Sequence, residues 1–218
     1  IGIRAVDEVG NKGPISSVPV SVSMDVGDPY TMSESAAAPL STGGTALELI
    51  GDDKFKFTNL PFTFKFYGVD YSTVIVSTNG ALYFGSSPEH DATSSERWLN
   101  GHSIIAGLWD DLRTDRRPGD DVYVVQDVDR VIFRWQAVTF DSLIGPEETR
   151  GENPVSFEIE LRFDGTITIR YGDGNQKMFP VVGVGAQETP RHAGSVGPCC
   201  VRSRASAQSG GHRCLAGE

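Results

Sequence analysis

Through most of this chain apolar residues recur at every second position, the period of a strand with one buried face. Phe62, Phe64 and Phe66 alternate with Thr63 and Lys65. Val74, Ile75 and Val76 form a β-branched run, and Asn79-Gly80 predicts a turn into Leu82, Tyr83 and Phe84. Residues 60–84 therefore read as three successive strands. Further on, Val131, Phe133 and Trp135 share a face, and a turn at residues 127–130 joins them to a strand at 122–125. Residues 104–109 are apolar on both faces, which predicts a buried central strand. Leu47 and Leu49, then Phe55 and Phe57, mark two more. The one helical expectation is a turn over residues 95–100, pinned by Trp98 and Leu99. With no helix of three turns and no internal repeat, the pattern predicts an all-β domain.

One hairpin can be placed in register. Phe157, Ile159 and Leu161 alternate with charged residues before Asp164-Gly165, and Ile167, Ile169 and Tyr171 alternate after it. A two-residue loop would pair Leu161 with Thr168 and mix faces, although directly opposed residues must share one. A three-residue loop, Phe163-Asp164-Gly165, pairs Arg162 with Thr166, Leu161 with Ile167 and Ile159 with Ile169. It puts Gly165 in the left-handed position and Glu158 opposite Arg170 on the wet face.

Four segments emerge. In residues 1–24 Ile1, Ile3 and Ala5 alternate, a polar turn follows, and Val18, Val20 and Val22 alternate again, which predicts a two-stranded hairpin. The I-x-I-x-A-x-D run from Ile1 to Asp7, with Gly10-Asn11 behind it, resembles the last two strands of a fibronectin type III domain. Because the chain opens inside that pattern, it is expected to continue a longer protein. Residues 25–45 are rich in Ser, Ala, Gly, Pro and Asp and read as a linker. Residues 46–186 carry the β pattern. Residues 187–218 lose all period, become Gly-, Ser- and Arg-rich, and turn net basic in an otherwise acidic chain. They are expected to be a disordered tail or an out-of-frame read at the end of a gene fragment.

Composition narrows the function classes. Hydrophobic residues make up 39%, enough for a core, and the net charge of -10 argues against nucleic acid and anionic membrane as partners. No apolar run is long enough to predict a membrane span. The 3 cysteines, Cys199, Cys200 and Cys214, all lie in the tail, so the body has no disulfide framework. With His212 they match no zinc-site spacing.

The phrases LPFTFKFYGVDYSTVIVSTNGALYFG, IIAGLWDDL, VYVV, VIFRWQAVTF, VSFEIELRFDGTITIRYG and VVGVGAQ, in that order, resemble a β-sandwich domain of secreted bacterial proteins. Such domains stand beside fibronectin type III modules or C-terminal to subtilisin-like peptidases, and are distantly similar to the extracellular domain of nidogen and tectorin proteins. The resemblance implies an antiparallel, jelly-roll-like β-sandwich, extracellular and non-catalytic, acting as an accessory or adhesion module on a protein or glycan partner. It brings no catalytic residues. The alternatives are an appendage of a secreted subtilisin-like peptidase and a calcium-dependent carbohydrate-binding module.

Candidate chemistry is sparse. Asp110, Asp111, Asp115, Asp120 and Asp121 gather carboxylates in loops, as Ca²⁺ requires, but without an EF-hand spacing; pairing with Arg113, Arg116 and Arg117 is the competing reading. Asp110 and Asp111 as a catalytic pair would point to opposite faces. Glu147 and Glu148 have no evident partner, and His90 and His102 read as surface histidines. Gly183-Val184-Gly185 lacks the third glycine of a dinucleotide fingerprint. Trp109 and Trp135 read as core, which leaves Trp98 as the candidate glycan contact.

Overall fold

The computed structural model describes residues 30–36, 38–86, 92–140 and 153–186 in full. Of the rest it describes the backbone of four short strands, residues 2–3, 16–17, 199–202 and 211–216. At the N-terminus β1 (Gly2–Ile3) pairs antiparallel with β2 (Ser16–Ser17), where the alternation predicts a hairpin. The body runs β3 (Tyr30–Ser35), β4 (Thr45–Ala46), β5 (Phe55–Phe66), β6 (Val69–Ser77), β7 (Ala81–Tyr83), the short helix α1 (Glu96–Gly101) and β8 (Ile104–Trp109). It continues through β9 (Leu112–Arg113), β10 (Asp121–Gln126), β11 (Arg130–Thr139), β12 (Pro154–Arg162), β13 (Ile167–Tyr171), β14 (Val181–Gly185), β15 (Cys199–Arg202) and β16 (Gly211–Ala216).

Two antiparallel sheets pack face to face as a β-sandwich. The larger has the order β3-β16-β13-β12-β11-β10-β4, with β9 also on β11; the smaller runs β15-β14-β8-β7-β6-β5. Each sheet is built round a meander, β10-β11-β12-β13 in the larger and β5-β6-β7-β8 in the smaller, with strands from distant parts of the chain added beside it. Short turns such as Asn79-Gly80 and Asp164-Gly165 favour hairpins between adjacent strands.

The expected hairpin register holds. Leu161 faces Ile167, Ile159 faces Ile169 and Glu158 faces Arg170. Arg162 N–H donates to Thr166 O at 2.9 Å, and Gly165 has φ +83°.

The alternation converts directly into a core. Val131, Phe133 and Trp135 of β11 and Phe157, Ile159 and Leu161 of β12 are all buried against Phe64, Phe66, Val74, Val76 and Leu82 of the other sheet. Trp135 stacks on Phe157 with centroids 4.7 Å apart, and its Nε1 donates to Ser77 O at 2.9 Å. At Gly107 the sheets come so close that a Cβ would lie 2.5 Å from Phe157 Cε2. β8 is buried along its whole length, between β14 and β7. Ile105 and Leu108 join the main core, while Ile104, Ala106 and Trp109 form a second cluster with Tyr83 and Leu99 of α1. That second cluster is why β8 is apolar on both faces.

Three expectations are corrected. Residues 30–36 and 38–46 are not a plain linker. β3 and β4 sit in the larger sheet, and Tyr30 is 1% exposed, its ring 5.6 Å from Phe66 and 5.1 Å from Tyr67. Lone Tyr30 in a polar stretch gives no period, so its burial is tertiary. The tail supplies two strands: β15 pairs with β14, and β16 lies between β13 and β3. Pairing is a property of the backbone, and the open edges of β13 and β14 can recruit a segment without alternation. Finally, the outer face of β12 is covered, with Glu158 and Glu160 buried. Ser41 N–H and Oγ donate to Glu158 at 2.8 and 2.7 Å, and Arg134 donates to the carbonyls of Ser41 and Gly43, strapping the segment before β4 onto the sheet.

Candidate cation-binding end of the sandwich

The acidic residues singled out in the sequence fall at one end of the sandwich, where β8 passes into β9 and β10 begins. Their surroundings separate them into different roles. Asp121 is buried, and its carboxylate accepts from the N–H groups of Glu48, Leu49 and Val122 at 3.0, 3.0 and 2.7 Å. It fastens the segment between β4 and β5 to the start of β10. Asp120 takes the Arg117 guanidinium, with Nη2 at 2.8 Å, and the Arg117 N–H at 2.9 Å. Asp115 is held in a two-pronged pair with Arg113, at 2.7 and 2.9 Å. The Arg113 hydrogen bond holds the Asp115 carboxyl below its ordinary value, and Asp115 in turn pushes Arg113 up. Asp110 accepts from Asp111 N–H at 2.9 Å and Phe179 N–H at 2.7 Å; burial nevertheless raises its pKa.

Asp111 turns the other way and meets two residues that the sequence did not point to. Ligand oxygens of Asp52, Asp53 and Asp111 all lie within 4.8 Å of one another. Burial pushes the Asp52 carboxyl up and neighbouring Asp53 adds to it, against the pull of Arg113. Asn79 organises this corner. It is fully buried; its Oδ1 accepts from Leu112 N–H at 2.9 Å and its Nδ2 donates to Asp53 at 2.8 Å. The turn that follows is equally constrained, because a Cβ on Gly80 would lie 2.3 Å from Leu108 O.

Of the five acids expected to share a cation, the structure brings none together with another as a ligand set. Asp115, Asp120 and Asp121 are engaged by Arg or backbone N–H groups, and the carboxylates of Asp110 and Asp111 diverge. The group that does form is Asp52, Asp53 and Asp111. Its signal in sequence was the Asp52-Asp53 pair, too distant along the chain to be joined to Asp111 without the β6–β7 turn. A three-carboxylate cluster suits a hard divalent cation, although Ca²⁺ takes six to eight oxygens in all.

Trp98 lies elsewhere. The short helix starts at Ser95, whose Oγ accepts from Trp98 N–H at 3.2 Å. Leu99 points into the second cluster, and Trp98, 39% exposed, stacks on the His102 ring at 4.7 Å. α1 precedes β8 and Asp110 follows it, so about 20 Å of strand separates the tryptophan from the acidic end. Trp109 and Trp135 are in the core, as expected. His90, Glu147 and Glu148 lie outside the described residues, as do the side chains of the three cysteines and His212.

The family model described as NIDO related matches residues 29–197. The chain belongs to this family. The match begins one residue before Tyr30, which independently places β3 with the sandwich. The family marks the domain as an accessory module of extracellular type, and no described helix is long and apolar enough to cross a membrane. Neither the curated proteins nor the solved structures give a match.

Proposed function

We propose that this domain is a non-catalytic adhesion or accessory module of a secreted or cell-surface multidomain protein of bacterial origin, binding an extracellular protein or glycan. The observation that carries the reading is the family match over residues 29–197, which spans the sandwich from β3 to β14. It is supported at the acidic end, where most carboxylates are engaged in holding loops, an arrangement suited to a scaffold. The test is to apply the labelled chain to a glycan array and to fixed bacterial cells, with unlabelled chain as competitor. Saturable, competable binding is expected, and Trp98→Ala reduces it if the partner is a glycan. Absence of saturable binding on both would overturn the adhesive role and leave the alternative of an appendage to a subtilisin-like peptidase. That alternative stands or falls on a peptidase domain encoded upstream of Ile1.

A calcium-dependent version of the reading rests on Asp52, Asp53 and Asp111, whose oxygens converge. Titration calorimetry with Ca²⁺ on the full chain decides it; no heat of binding removes it.

A further inference from the structure

The opposite end of the larger sheet carries an apolar patch at the point where the chain enters the domain. Five register pairs define one row across the sheet: Gln126 with Val131, Val131 with Leu161, Leu161 with Ile167, Ile167 with Cys214, and Cys214 with Met32. Two residues beyond that row stand Tyr30, at the start of β3, and Val128 and Phe163, in the turns that follow β10 and β12. Val128 is 92% exposed and Phe163 is 65% exposed. Their two turns are tied together by Phe163 N–H donating to Asp129 O at 2.9 Å, and the Phe163 ring meets Phe62 edge-on at 6.1 Å. Charged pairs rim the patch, Arg130 with Asp127 at 2.9 Å and Arg162 with Asp129 at 3.8 Å. An apolar centre inside a charged rim is the make-up of a docking surface.

Tyr30 begins β3 at this same end of the sheet, with its ring on Phe66. From Phe163, at the end of β12, to β3 is three strand spacings, about 14 Å, and Val128 lies one to two strands further on. The eight residues from Val22 to Tyr30 reach up to about 27 Å. In the sequence that follows β2, Val18, Val20 and Val22 alternate with other residues, and a two-stranded hairpin is marginal in water without a surface to pack on. We propose that the Phe62, Val128 and Phe163 end is the docking surface for the preceding residues of this chain, with the alternating valines laid against it. The patch then fixes the orientation of the sandwich relative to whatever is joined before it.

Hydrogen exchange on the full chain tests this from both sides. Replacing Val128→Ser and Phe163→Ser together is expected to speed amide exchange in residues 16–24 by about tenfold or more, the scale set by losing one buried Phe contact. Exchange in β11 and β12 stays unchanged, since both side chains are exposed. The reciprocal pair, Val20→Ser with Val22→Ser, is expected to speed exchange in residues 126–129 and 162–165. Unchanged exchange in either direction overturns the proposal. So does light scattering in which the wild-type chain is a dimer and the Val128/Phe163 variant a monomer, because the occupant is then a second copy.

Discussion

Glu158 and Arg170 stand directly opposite each other on β12 and β13, and Arg170 donates to Glu158 Oε1 at 2.8 Å. The second Arg170 nitrogen reaches Glu160 at 2.7 Å, and Arg162 joins Glu160 from the other side at 2.6 Å. Both glutamates are buried, Glu158 with Ser41 on it, so each relies on these partners. Arg170→Met therefore leaves two buried carboxylates short of a cation and is expected to cost about 3–5 kcal/mol in chemical denaturation. Arg170→Lys recovers only part, because one ammonium cannot reproduce the fork between two carboxylates.

The same cluster sets an acid limit. Burial raises the Glu160 carboxyl, but Arg170 and Arg162 overcome it, and the net pKa is lowered. A depressed native pKa contributes stability above the unfolded value and loses it as pH falls through the native one. Thermal melts should therefore fall as pH drops below the ordinary glutamate range, and Glu160→Gln should flatten that part of the profile while lowering the melting temperature at pH 7.

How much of this was legible in the sequence depends on the range of each interaction. The Glu158–Arg170 register followed from alternation and one glycine, because a hairpin is local. The aromatic stripe of Phe64 and Phe66, the core roles of Trp109 and Trp135, and the double-faced burial of β8 followed from period and composition. Tyr30, Ser41 and the tail strands did not. Their placement comes from pairing with residues 15 or more positions away, and 117 for Ser41 with Glu158, for which a polar, aperiodic segment carries no local mark. The acidic end failed similarly. Counting aspartates gathered five residues, whereas the fold sorts them by which N–H or guanidinium each can reach.

Asn79 is a residue whose importance only the fold reveals. Its side chain links the β6–β7 turn to Leu112 N–H and to Asp53, while Asn79 itself has no exposed surface. Asn79→Ala strands the buried Leu112 N–H and is expected to cost about 2–3 kcal/mol. Urea unfolding at constant slope measures it. Gly80→Ala next door should be worse than Gly68→Ala. Both glycines have φ near +80°, an added strain of about 1–2 kcal/mol for alanine, but at Gly80 the new Cβ runs into Leu108 O while at Gly68 it meets open space.

Asp52→Asn tests the electrostatics of the converging carboxylates with an opposite sign. Burial and then Asp53 raise the native pKa of Asp52, so the ionised form is held less comfortably in the fold than in the open chain. A raised native pKa means the stability it contributes is present below the unfolded value and is lost as pH rises through the native one. The neutral asparagine escapes that loss. In metal-free buffer at pH 7 the variant is expected to melt at or above the wild-type temperature, by no more than about 1 kcal/mol because the site is partly solvated. The gap should close as pH falls below the ordinary aspartate range, where both side chains are uncharged. A variant less stable than the wild type at pH 7 under chelation would mean that Arg113, rather than Asp53, governs this carboxylate.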